Sequence, residues 1–193
     1  MKKKALDAVM LAGLVISLLL GGMRSFAAEC EKVQTQVLRL HIPANSDSSE
    51  DQQMKLQLRD YILEKYGTEL AAEADINSAK ERIAELLPEI EADCRAFLQE
   101  RAADYSATAE LTEMYFTTRS YEAVTLPAGT YTALRITLGT GEGKNWWCVM
   151  FPPLCIPVAS EVTDELPDIL TGEGTEIEIR FAVYELLKEL LDK

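Results

Sequence analysis

The sequence predicts an α+β fold: one domain in which a layer of two or three helices packs on a mostly antiparallel sheet of about four strands, with a C-terminal helix. Three observations carry this expectation. Apolar residues recur at helical spacing between Met54 and Leu98. From Ala107 the period changes to alternation, in segments rich in threonine, tyrosine and aliphatic residues. The chain has 193 residues, 48% of them hydrophobic, with no internal repeat and no domain boundary after its N-terminal segment, so a single core is expected.

In chain order, residues 1–27 read as an export signal. Lys2-Lys3-Lys4 precedes the apolar run Ala8 to Leu20, a Gly21-Gly22 break and Ser25-Phe26-Ala27, which places small residues at cleavage spacing. Cleavage after Ala27 or Ala28 is expected. The competing reading is a retained anchor, which the run disfavours by falling short of the ~18 apolar residues of a spanning helix. Glu29 stands where a lipoprotein signal places a small residue, which disfavours Cys30 as a lipid acceptor.

The domain proper is expected over residues 33–155. "VQTQVLRLHI", Val33 to Ile42, alternates in its second half and predicts a half-buried strand ending at Pro43. Asp47-x-x-Glu50 and Ser48-x-x-Asp51 are overlapping capping boxes, so Asp47, Ser48, Glu50 and Asp51 are helix-cap candidates. The helix they open carries the stripe Met54, Leu58, Tyr61, Ile62 and Lys65 and stops at Gly67. Ser78-x-x-Glu81 opens a second helical pattern through Ile83, Leu86, Leu87, Ile90, Cys94, Phe97 and Leu98, which Pro88 kinks or splits. Three antiparallel strands follow from Ala107, punctuated by Pro127-Ala128-Gly129 and by Gly139 to Gly143. Residues 156–193 are expected to form an acidic loop and an amphipathic C-terminal helix, through Val183, Leu186, Leu187 and Leu190, on the same domain.

The formal charge of −13 disfavours nucleic acid and anionic membrane surfaces, leaving the export signal as the only membrane contact and a neutral or locally basic protein as the expected partner. His41 is the only histidine and falls on a strand, so a nucleophilic triad has no base and no catalytic residue is assigned. The acids Asp47, Glu50 and Asp51 lack the spacing of a calcium loop, and the cysteines Cys30, Cys94, Cys148 and Cys155 contain no metal-binding spacing. No metal, cofactor or small-molecule substrate is therefore expected. "GTGEGKN" lies between strands, without the helix and the Lys-Ser/Thr end of a phosphate loop, and reads as a turn. A hairpin through Phe151, Pro152 and Pro153 would bring Cys148 and Cys155 to disulfide distance; two buried thiols are the alternative. Trp146 and Trp147 are neighbours on a strand and must point to opposite faces. One indole is expected in the core and the other outward, where with Phe151, Pro152 and Pro153 it makes a candidate partner-binding surface.

Two stretches, "LRLHIPANSDSSEDQQMKLQLRD" (Leu38 to Asp60) and "LPAGTYTALRITLGTGEGKNWWCVMFPPLC" (Leu126 to Cys155), following a signal, resemble the stage II sporulation protein R family of endospore-forming bacteria. The resemblance implies a signalling protein and not an enzyme, exported across the forespore membrane into the intermembrane space. Its implied partner is a membrane-embedded aspartic protease of the mother cell, which cleaves the precursor of the early mother-cell sigma factor. A secreted cell-wall hydrolase or wall-binding module of the sporulation envelope is the alternative function.

Overall fold

The computed structural model describes residues 2–121 and 124–152. The C-terminal helix expected within 156–193, and with it Pro153 and Cys155, lies outside the described residues. In chain order the elements are α1 (Lys2–Thr35), β1 (Leu38–Pro43), α2 (Ser49–Ala71), α3 (Ile76–Glu100), β2 (Ala107–Phe116), β3 (Arg119–Tyr121), β4 (Val124–Leu126), β5 (Gly129–Leu138) and β6 (Asn145–Phe151). This is the α+β class with helices on a mostly antiparallel four-stranded sheet.

Strand order is β2-β5-β1-β6, with β3 and β4 forming a separate hairpin. The expected run of three consecutive antiparallel strands is thereby corrected. β2 and β5 do pair antiparallel, but β1 lies between β5 and β6, parallel to the first and antiparallel to the second. The glycine-rich segment after β5 is not a hairpin turn: it steps across the end of β1 before β6 returns along that strand.

α2 and α3 cover one face of the sheet. Their stripes Leu58, Ile62, Tyr66 and Leu70, and Ile83, Ile90, Cys94 and Leu98, meet Leu40 and Ile42 of β1 and Leu134 and Ile136 of β5. Side chains tie the layer down. Lys65 and the Tyr66 hydroxyl both reach Asp93, joining α2 to α3. Glu91 accepts from the Ala109 amide at 2.9 Å, and Arg95 donates to the Ala107 carbonyl at 3.2 Å, anchoring the edge strand β2. α3 stays continuous through Pro88, and its capping box is Asp75 with Ser78, one turn earlier than the expected Ser78-x-x-Glu81 box. α2 likewise runs past Gly67 to Ala71, with Tyr66, Gly67 and Leu70 buried against the core.

The opposite face is covered too, and this overturns the half-buried reading of β1, which is buried at every position. The end of α1 and the β3–β4 hairpin close a second core of Cys30, Val33, Val37, Phe116, Leu126, Tyr131, Ala133 and Val149. Val33 to Thr35 therefore belong to a helix, and the strand begins at Leu38. Gln34 anchors this helix by donating to the Ala128 carbonyl at 3.1 Å. Among the described residues no helix is long and apolar enough to cross a membrane.

Candidate functional site

The two distinctive blocks of sequence come together at the end of β1. The loop after β1, Ala44 to Ser48, lies against the loop between β5 and β6, and their polar groups satisfy one another. The Thr140 amide donates to Asn45 Oδ1 at 3.1 Å and its hydroxyl to the Asn45 carbonyl at 3.0 Å. The Lys144 amide donates to Asp47 Oδ1 at 2.7 Å, and the Gly143 amide to the Ala44 carbonyl at 2.8 Å. Lys55, buried on α2, donates to the Lys144 carbonyl at 2.9 Å and to Gln52 Oε1 at 2.6 Å. Glycine is required three times here. Gly139 has φ +55° and faces Asn45, Gly141 has φ +69°, and a Cβ at Gly143 would collide with the Ser46 carbonyl.

Asp51 is the inner hub of this loop pair. Its carboxylate accepts from Asn45 Nδ2 at 3.0 Å and from Ser46 Oγ at 2.5 Å. Burial opposes ionisation, but hydrogen bonds involving Ser46, Tyr105, Asn45 and Ser48 hold this carboxyl below its usual range. Ser48 is the N-cap of α2, its hydroxyl accepting from the Asp51 amide at 3.1 Å. The cap expectation is thus corrected at two positions. Asp47 fastens the opposite loop instead of capping, and the Asp51 side chain turns to Asn45 and Ser46 instead of closing a box. Glu50 is exposed in the first helical turn. Asp47, Ser49, Glu50, Thr140, Glu142, Lys144 and Asn145 form the exposed rim above.

Directly below the rim, Trp146 and Trp147 leave β6 on opposite faces. Trp146 packs on the helical core beneath the Arg59 guanidinium, 4.2 Å from its ring centroid. Trp147 packs on the second core, stacked on His41 at 4.1 Å and 12° and edge-on to Phe116 at 4.9 Å. Both indoles are half-buried. Neither stands on an open face, which corrects the expected outward indole; the reason is the second layer, which leaves β6 no bare side. Phe151 is half-buried against the helical core, and Pro152, joined to it by a cis peptide, is buried.

His41 is neutral and inaccessible. Burial pushes its imidazole down to about 4, with Asn145 opposing and Arg135 reinforcing the shift. Both ring nitrogens lack a hydrogen-bond partner. Beside it on β1, Arg39 is fully buried among Phe116, Tyr131 and Tyr121. Cys30 and Cys94 are buried thiols, and burial pushes Cys94 up to about 12. Cys148 is buried and disulfide-bonded. Among the described residues no group of His, Cys, Asp and Glu is placed to hold a metal ion.

Sequence reasoning missed Asn45, Lys55, Arg39 and Arg59. For Lys55 a signal was present, since it precedes Leu58 and Ile62 on the buried stripe of α2. For Arg39 there was none, because its burial follows from a layer that strand periodicity does not reveal.

Comparison with known proteins agrees with this arrangement of blocks. The family model of Stage II sporulation protein R matches residues 34–161. The Stage II sporulation protein R of Bacillus subtilis (strain 168) is 41% identical over 123 residues, covering 64% of this chain and 55% of that protein. The chain therefore spans about half the length of the curated relative it matches. No solved structure matches. With the matched region running from the end of α1 through β6 and including both loops of the pair, the chain belongs to the stage II sporulation protein R family.

Proposed function

We propose that this protein is an exported sporulation signal. It acts in the space between the two sporulation membranes by binding the outward-facing domain of a membrane-embedded aspartic protease, which then processes the precursor of the early mother-cell sigma factor. The family supplies the sporulation role. One observation carries a binding mode of action: the two distinctive sequence blocks converge on a single exposed rim that internal hydrogen bonds hold in place before any partner arrives. A preorganised rim loses little conformational entropy on docking, which is how a modest surface reaches useful affinity. Its free carboxylates, Glu50 and Glu142, in a chain of charge −13, fit a partner face that is neutral or locally basic. The tryptophans beneath act as its support.

Co-expression of the chain with the candidate protease and the sigma precursor in a non-sporulating host tests this. Precursor cleavage is expected only when all three are present. Absence of cleavage, together with purified protein that digests or sediments with peptidoglycan, would contradict the signalling reading and favour a wall-directed one.

A further inference from the structure

Arg39 is the least explained side chain of the fold. It is 0% exposed, the second residue of β1, and its guanidinium carbon lies 4.1 Å from the Phe116 ring centroid, 4.9 Å from Tyr131 and 5.8 Å from Tyr121. A guanidinium presents five N–H donors. Only Nη2 has an acceptor, the Tyr121 hydroxyl at 2.5 Å, while Nε and Nη1 are buried with none. No carboxylate among the described residues pairs with it. The aromatic faces offset part of the cost of burying the charge but accept no hydrogen bond along the guanidinium plane. The nearest unpaired charge is also positive: Arg119 of β3 lies over Trp147 at 5.8 Å, whereas Arg135, opposite His41 on β5, is paired with Glu110.

We propose that Arg39 is the floor of a carboxylate-binding site on the second face of the sheet, with the Tyr121 hydroxyl holding the place of a ligand oxygen. A carboxylate is a stronger, charge-assisted acceptor than a phenol, and its planar group matches the guanidinium fork. The group now bonded to Nη2 is a single side chain. Tyr121 is half-buried, on a hairpin whose two strands pair with each other and with no strand of the main sheet. Turning this side chain outward would vacate the acceptor position on Nη2, beside the Phe116 and Tyr131 rings. The flat aromatic walls and the single cation at the floor suit one carboxylate better than a phosphate, which needs more donors and carries more charge. This site stands apart from the signalling reading, on the face of the sheet opposite α2 and α3.

The exported chain is titrated with acetate, as a free small acid, and with glutamate blocked at both ends, as a protein side chain; neutral acetamide is the control. Melting temperature and tryptophan emission are read. A saturable rise in melting temperature with at least one carboxylate is expected, with none for acetamide. Arg39→Met should abolish the response, and Tyr121→Phe, which removes the competing hydroxyl, should tighten it several-fold. No saturable response in either the parent or Tyr121→Phe would overturn the proposal. So would a response retained by Arg39→Met, or one that Tyr121→Phe leaves unchanged or weakens.

Discussion

His41 shows how a residue's chemistry is set by what lies around it. As the only histidine in the chain it is the obvious place to look for acid–base work, yet it sits stacked on Trp147 with its charged form excluded. The folded value near 4 lies below the ~6.5 of an unfolded histidine, so between these values the unfolded chain takes up a proton that the fold refuses. Stability is therefore complete above about pH 6.5 and falls by about 3 kcal/mol as the pH drops to 4. Urea denaturation across this window should show that slope, and His41→Phe should flatten it. Asp51 and Asp93, both held below the usual carboxylate range, add their losses only below about pH 4, so the two effects separate. A second test at this scale concerns Cys148. Non-reducing mass spectrometry of the purified protein is expected to show the peptide containing Cys148 linked to that containing Cys155; alkylation of both thiols would exclude the pairing.

At the scale of elements, the start of α2 separates two jobs that its sequence runs together. Ser48 caps the helix, so Ser48→Ala should cost about 1 kcal/mol in thermal melts. Asp47→Ala should leave the cap in place and instead free the Lys144 amide, read as faster hydrogen exchange in the loop before β6. The helix itself was legible, because a cap and an apolar stripe are local features. Its partner loop was not, since the bonds from Asn45 to Thr140 and from Asp47 to Lys144 join residues far apart in the chain. The same limit applies to β6. Strand geometry alone puts Trp146 and Trp147 on opposite faces, but that both faces are covered depends on α1 and the β3–β4 hairpin. Alanine at either tryptophan is accordingly expected to destabilise the domain by about 3 kcal/mol, the lower end for a buried aromatic, in denaturant titrations. A stable variant at one of them would contradict the two-layered packing.

Across the whole molecule, the class, the helical layer and the strand segments followed from periodicity, whereas the placing of β1 between β5 and β6 did not. A glycine-rich turn between two alternating segments reads as a hairpin, and only its fit across the end of β1 shows otherwise. That crossing brings the two sequence blocks to one rim, and the proposed activity rests on it. Charge reversal there gives the sharpest test, because Glu50 and Glu142 are exposed and lie above the hydrogen-bonded layer. Glu50→Lys with Glu142→Lys is introduced into the chain co-expressed with the membrane-embedded protease and the sigma precursor, and cleavage is measured beside the melting temperature of the purified protein. The prediction is a melting temperature within a few degrees of the parent and precursor cleavage reduced at least tenfold. Undiminished cleavage by the doubly reversed protein would contradict the rim as the signalling surface.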